Sequence, residues 1–349
     1  MTDLDRVLAS IQSLEESAME AARQRQNQLT KPTGSLGRLE DLAVQLAGIT
    51  GQVQPRLPRK AVVVMAGDHG VTADGVSAYP AEVTPLMVLN FLKGGAAINV
   101  LARQAGARVV VVDVGVAADL PPHEALVSRK VAKGTRNLAI EPAMTPEEAR
   151  RAIQVGIEVL ESEVAKGLDV VATGEMGIGN TTPSSAIVAV LTGLPVAEVA
   201  GRGTGVDDAG LARKVRAIEQ GISATRPDAS DAMDVLTKVG GLEIAALVGV
   251  ILAGAAHRLP VVIDGFISGA AALVAVRLCP AVRPYLVPSH QSVEVGHRAI
   301  LRDLGLRALF DLDLRLGEGT GAVLAMHLID DALALHSEMA TFAEAGIGE

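Results

Sequence analysis

Six times the chain repeats one order: a short run rich in Val, Ile and Leu, then a polar or glycine-rich loop, then a helical segment. The runs are 61–65, 108–112, 169–172, 260–263, 285–287 and 312–316. Apolar runs of this kind form strands buried on both faces, and their alternation with helices specifies a parallel, doubly wound α/β sheet. Ligands of such sheets bind beyond the carboxyl ends of the strands, so chemistry is expected in the six loops that follow them.

The loop after the third run lies in VVATGEMGIGNTTPSSA, residues 170–186. Gly174, Gly177 and Gly179 permit positive φ and close approach of backbone to a ligand, while Thr182 and Pro183 fit the N-cap and first position of a helix. Free amides at a helix start favour an anion, and the hydroxyls of Thr181, Thr182, Ser184 and Ser185 suit a phosphate ester. Glu175 is a lone acid among them. The plainer alternative is a turn that only closes a strand-helix unit. The spacing G-x-x-G-x-G is not the dinucleotide fingerprint.

Three other loops carry candidates. In LGEGTGAVLA, residues 316–325, Gly317 and Gly319 leave Glu318 unshielded beside apolar neighbours, which raises a carboxyl pKa toward that of a general base. Glu318 as a simple cap for a helix from Thr320 is the alternative. In GRGTGVDDAGLARK, residues 201–214, Arg202, Gly203 and Lys214 are phosphate candidates, or Lys and Arg lie on a solvated helix. Asp207 and Asp208 do not end an apolar strand, unlike the acidic pair of diphosphate-dependent phosphoribosyltransferases. In residues 66–84, Asp68 and His69 are adjacent and form no dyad by spacing. His69 reads as an oriented hydrogen-bonding group. Neither H-x-x-x-H nor H-E-x-x-H spacing occurs, so no metal is expected, and G-x-S-x-G is absent.

Composition narrows the partners. Hydrophobic residues are 49% of 349, with a mean hydropathy of +0.34. The richest runs are nevertheless too short or too interrupted to span a bilayer: 242–256 contains Glu243, and 259–276 contains Asp264 and Gly265. A net charge of −9 argues against a nucleic-acid surface. Cys279 alone excludes an internal disulfide. The acidic N-terminal segment is unlike a signal peptide, so a cytoplasmic location is expected. With 2% aromatic residues, a planar ligand has mainly aliphatic walls and backbone to lie against.

Before the first strand, an amphipathic helix is expected up to about Arg25, with Leu4, Val7, Leu8, Ile11, Leu14 and Ala18 at helical spacing. A second is expected over 39–49 and a C-terminal one over 322–338, together forming a small helical subdomain. Thr145, Pro146 and Glu148 form a capping box that starts a helix ending before Gly167.

The ordered set TKPTGSLGRLE, AGDHGV, VSAYPAEVT, GGAAINVLAR, GEMGIGNTT, GRGTGVDD, DGFISGAAA, SHQSVEVGH and LRLGEGTGA resembles nicotinate-nucleotide:5,6-dimethylbenzimidazole phosphoribosyltransferase, an enzyme family of the cobalamin lower-ligand pathway. The resemblance runs from about Leu29 to Ala325. It implies a six-stranded, mostly parallel Rossmann-like domain at 56–324 and a small helical domain from 1–55 and 325–349, assembled as a homodimer. It also implies transfer of phosphoribosyl from nicotinate mononucleotide to dimethylbenzimidazole without a cofactor. The site residues implied are Glu318 as general base, Glu175 beside the ribose, and Gly177, Gly179, Asn180, Thr181, Arg202, Gly203 and Lys214 around phosphate and ribose. Asp68, His69, Ser77, Tyr79, Leu86, Met87 and Leu316 are the implied base pocket. Where the family usually has glutamine after EVT, this chain has Leu86, from which relaxed base selectivity is expected. A nucleotide hydrolase or phosphorylase, or a non-catalytic nucleotide sensor, are the competing readings.

Overall fold

The computed structural model describes residues 3–347. Met1, Thr2, Gly348 and Glu349, at the outer ends of the expected helical segments, lie outside the described residues. Helices α1 (Asp3–Ser10), α2 (Glu16–Gln28) and α3 (Arg38–Thr50) precede the sheet. Strand β1 (Lys60–Gly67) leads through α4 (Val83–Leu92) and α5 (Ala97–Ala105) to β2 (Ala107–Gly115) and β3 (Leu126–Ser128). Helix α6 (Pro146–Ala165) delivers the chain to β4 (Val170–Met176). Five helices follow: α7 (Thr181–Thr192), α8 (Val196–Val199), α9 (Asp208–Thr225), α10 (Ala232–Val239) and α11 (Leu242–Ala256). Strand β5 (Val261–Ile263), α12 (Phe266–Leu278), β6 (Leu286–Pro288), α13 (Val295–Asp303) and α14 (Thr320–Glu338) complete the order.

The six strands form one parallel sheet in the order β3-β2-β1-β4-β5-β6. That order reverses direction between β1 and β4, which opens a crevice beyond their carboxyl ends. The alternation of β1 shows why its run is apolar throughout. Ala61, Val63 and Met65 join the core layer of α6, α7, α11 and α12, while Val62, Val64 and Ala66 join the layer of α5 and α14. On the first face, α6 and α11 meet backbone to backbone: a side chain at Gly156 would strike the Ala246 carbonyl, and one at Gly249 would strike that of Ile153.

Two sequence expectations are corrected. The helix expected up to Arg25 is broken at 11–15, where the chain turns so that α1 packs against α6 and α11 while α2 lies on α3. The run 312–316 is irregular rather than a strand. Asp313 takes φ 54° there, which ends extension, and Leu312 and Leu316 are 61% and 58% exposed instead of buried. The sixth strand is β3, three residues on the sheet's edge, too short and too half-exposed to signal itself. The capping box is present as expected: Thr145 Oγ1 accepts the Glu148 amide at 3.1 Å, and Glu148 accepts the Thr145 amide at 2.6 Å.

Candidate active site

A cavity of about 400 Å³ lies at the carboxyl ends of β4, β5 and β6. Its walls come from the 175–181 loop, the 264–267 and 290–294 turns, the 315–318 segment, and Val83 and Met87 of α4. Segments more than a hundred residues apart therefore face the same space.

The 175–181 loop forms one corner. Gly179 has φ 88°, and α7 begins at Thr181 with Asn180 as its flanking residue. Thr182 and Pro183 thus sit inside the first turn, two residues later than expected. A side chain at Gly177 would strike the Gly67 carbonyl, and Thr84 Oγ1 holds the Ile178 amide at 3.1 Å. Of the four hydroxyls expected to meet an anion, Ser184 and Ser185 donate back to the Asn180 and Thr181 carbonyls. Thr182 is fully buried, so Thr181 supplies the hydroxyl that lines the cavity. Behind it, Lys214 Nζ donates to Thr181 Oγ1 and the Gly201 carbonyl, each at 3.0 Å. Burial pushes that ammonium down to about 8. Gly203 lies against both groups.

Glu318 forms the facing wall. Gly317, Glu318 and Gly319 take φ 86°, 61° and 93° in succession, a left-handed path that a non-glycine residue adopts only under constraint. The constraint is visible. The Asp264 carboxylate accepts the Gly319 amide at 3.1 Å and the Ala322 amide at 3.0 Å, so it caps α14 from another loop. Glu318 caps no turn of its own helix; its Oε2 accepts the Ile98 amide at 3.2 Å, at the start of α5. Burial holds its pKa above the ordinary carboxylate value against the pull of that amide. A Cβ at Gly174 would lie 2.5 Å from the Glu318 carbonyl oxygen, so the end of β4 and this loop are in contact.

Glu175 lies between the two walls and accepts from Asn180 Nδ2. Burial, then the nearby Asp264 and Glu243 carboxylates, push it up to about 8. Burial pushes Asp264 up to about 7 against four backbone amides. Both acids take up protons near neutrality rather than far below it.

The cavity wall includes Glu318, Glu175, Gly177, Asn180, Thr181, Gly203, Tyr79, Met87 and Leu316, whereas Gly179 is not part of it and faces the Thr72 methyl. Several expected contacts are absent. Asp68 and His69 are buried beneath the floor: Asp68 holds the Ala117 amide at 2.8 Å, and His69 Nε2 pairs with Glu243 Oε1 at 2.7 Å. Burial lowers the His69 pKa, but Glu243 and Asp68 more than offset it. Ser77 bonds Thr204 Oγ1 at 3.1 Å outside the wall. Arg202 is turned to Asp208 on the surface and lines a second cavity next door. Asp207 caps α9 through the Gly210 amide at 2.7 Å. Leu86 is 62% exposed, because α4 presents Val83 and Met87 to the cavity instead.

The sequence reading missed Asp264, His290, Glu294 and Arg315, all of which line the cavity. Asp264, His290 and Glu294 follow strand ends, where ligand loops are expected, whereas Arg315 lies in the run 312–316 that was read as a strand, which masked its role. His290 is neutral, pushed by burial down to about 4. It stacks on Phe310 at 5.9 Å.

A family model described as phosphoribosyltransferase matches residues 11–347. A Chloroflexus aggregans protein named nicotinate-nucleotide-dimethylbenzimidazole phosphoribosyltransferase is 60% identical over 349 residues, covering 100% of this chain and 99% of its own. A Desulforudis audaxviator protein of the same name is 59% identical over 349 residues, with the same coverage of 100% and 99%. The crystal structure of the Thermus thermophilus protein of that name, 50% identical, matches with a TM-score of 0.92 over 96% of this chain and 100% of its own.

Proposed function

The chain belongs to the nicotinate-nucleotide-dimethylbenzimidazole phosphoribosyltransferase family, and from that membership we propose that it transfers phosphoribosyl from nicotinate mononucleotide to 5,6-dimethylbenzimidazole. The products are α-ribazole 5′-phosphate and nicotinate. The observation that carries this reading is the meeting of Glu318 and the Thr181 corner in one cavity.

The chemistry follows from the groups present. The nicotinate ring leaves C1′ from a cationic pyridinium nitrogen, which keeps the bonding electron pair and becomes neutral, so departure needs no general acid. The acceptor is the harder problem. A neutral benzimidazole attacks C1′ through one nitrogen while its other nitrogen becomes acidic, and Glu318 takes that proton. General base catalysis of this kind contributes about 10²–10⁴ in rate. A carboxyl whose pKa is raised by burial is a stronger base than a solvated one. Attack opposite the leaving group converts the β-riboside to the α-product. Thr181, Gly203 and Lys214 hold the phosphate at the start of α7, which fixes C1′ for in-line attack.

Glu175, protonated near neutrality, donates to the ribose or to the leaving ring and adds no second negative charge beside Glu318. Aliphatic Met87, Val83 and Leu316 provide the flat apolar surfaces for the aromatic base. A homodimer, a cytoplasmic location and a helical domain from 1–55 and 325–349 belong to the same proposal.

Product analysis tests it. Nicotinate and an α-riboside should appear together only when a benzimidazole is supplied. Release of nicotinate without the base would establish a hydrolase instead. Binding of the nucleotide with no turnover in either condition would leave a sensor. For the corner, Lys214→Ala should weaken nicotinate mononucleotide about ten- to hundredfold more than nicotinate riboside, as expected for a lost charged hydrogen bond.

A further inference from the structure

The transfer described above makes no use of Glu294, although this acid lines both the main cavity and the second one beside it. It is the residue before α13 and only 8% exposed, and its Oε2 is buried with no hydrogen-bond partner among the described residues. That oxygen fills the space a side chain at Gly201 would need. Thr181 Oγ1 and Lys214 Nζ lie 2.7 and 2.9 Å from the corresponding position at Gly203. The Gly203 amide faces the Glu294 carboxylate. A carboxylate therefore stands among the donors assigned above to the phosphate.

Other charged groups facing Glu294 are Lys214 from α9, Arg315 from the segment before Glu318, and Arg202 across the second cavity. Glu175, Asp264 and Glu318 share the main cavity, and His297 on α13 is neutral, pushed by burial down to about 3. Two anions cannot share the same few donors at close range unless one gives up its charge. Burial already holds Glu294 above the ordinary carboxylate value, against Lys214, the Gly203 amide and Arg315. Its protonated form is accordingly within reach.

We propose that Glu294 occupies the anion corner of the ligand-free protein, and that the substrate's phosphate takes over the Gly203 and Lys214 donors while Glu294 takes up a proton. The exchange is acid–base only: a solvent proton bonds to a Glu294 oxygen, and no bond of the nucleotide changes. Nucleotide binding is thereby linked to pH through a residue outside the transfer chemistry. The inference rests on the phosphate corner proposed above and deepens it.

The test is calorimetric titration of the native protein with nicotinate mononucleotide at pH 7, in two buffers of different ionisation enthalpy. At that pH the side chain of Lys214, with a pKa of about 8, is about nine-tenths charged. A phosphomonoester with a second pKa near 6 is about nine-tenths dianionic. Their own contributions are then about a tenth of a proton each, with opposite sign. The expected result is uptake of about half to one proton more per nucleotide than per nicotinate riboside, which meets Glu175 and Asp264 in the same way. Glu294→Gln, which keeps the size and the hydrogen-bonding oxygen, should abolish that difference.

Equal uptake for nucleotide and riboside in the native protein overturns the inference without any variant having to fold. If Lys214→Ala weakens both ligands equally, the phosphate corner itself is wrong and the inference falls with it. If Lys214→Ala selects against the nucleotide while Glu294→Gln retains the full difference, the corner stands and this inference alone fails.

Discussion

Glu175 and Glu318 face one cavity but are held there by different means. Glu175 stands at the end of a paired strand, and its partner Asn180 is only five residues away in the same loop. Glu318 sits in a left-handed turn between two glycines, pinned by Asp264 from the end of β5 and the Ile98 amide from α5. One carboxyl is placed by its own segment, the other by tertiary structure. Their chemistry differs in step: Glu175 is raised to about 8 and neutral near pH 7, whereas the amide at Ile98 moderates the rise at Glu318. Two acids with separated affinities for a proton are the usual division between a donor and a base.

The sharpest break in that comparison is Glu318→Gln. The side chain keeps its size and can still accept the Ile98 amide, so both substrates should bind nearly as before. Turnover should fall about 10²–10⁴-fold, the ordinary contribution of a general base. Steady-state kinetics at saturating substrates check it; a near-native kcat would remove Glu318 from its role. In the native protein, the acid limb of the kcat profile should lie above the pH that an unperturbed carboxylate would give, because the base works only when ionised and its pKa is raised.

Next is Asp264→Ala, which removes the acceptor of the Gly319 and Ala322 amides. Glu318 then loses the group that fixes its turn, and an error of about 1 Å in a reacting group can cost about 10²-fold. A loss in kcat of about ten- to hundredfold is expected, with lowered thermal stability from the freed amides. Asp264→Asn, which can still accept one of them, should recover part of both. Unchanged kcat in Asp264→Ala would mean that the loop holds Glu318 unaided.

The same contrast separates what was legible in the sequence from what was not. Five of the six strands declared themselves, because a strand buried on both faces is apolar at every position. The 175–181 corner did too, because glycines and a helix start are local signals. Asp264 was written among the loop residues but could not be assigned, since its partners lie 55 and 58 positions away. Residues 312–316 misled because alternate leucines read as a strand, whereas Asp313 bends the chain and Leu312 and Leu316 stay exposed. His69 was correctly read as a hydrogen-bonding group, but its partner Glu243 lies on α11, and the pair props the floor under Gly177 instead of meeting the base.

A smaller effect is expected on stability. Glu175 is protonated in the fold up to about pH 8, whereas in the unfolded chain it ionises near its ordinary value of 4.5. Between those values the folded state binds more protons, so stability falls as pH rises through that window. Asp264, raised to about 7, acts in the same sense. Lys214 acts in the opposite sense, and only above about 8. Glu175→Gln removes the Glu175 contribution. Its melting temperature should drop less than the native protein's between pH 5.5 and 7.5, by about 1–2 °C for each kcal/mol of linkage removed. Parallel curves for the two proteins would place the Glu175 proton elsewhere.

The smallest effect is expected at Leu86, where the family resemblance alone would look for a large one. The resemblance leads one to expect a glutamine at this position, and an aliphatic replacement then points to a pocket that has lost a hydrogen bond to its base. In the structure that position lies off the cavity wall. Leu86 is 62% exposed, and the wall contributed by α4 is Val83 and Met87, three residues before it and one after. On the proposed reading, base selection rests on apolar contact with Met87 and Leu316, which discriminates weakly, about 1–3 kcal/mol for a methylene. Leu86→Gln should accordingly change the ratio of kcat/KM for dimethylbenzimidazole over adenine by less than about twofold, whereas Met87→Ala should change it by about tenfold or more. Competition assays with both bases present measure the ratio directly. A large gain in discrimination from Leu86→Gln would show that α4 rotates or is covered when the base enters, so that position 86 reaches the ligand after all.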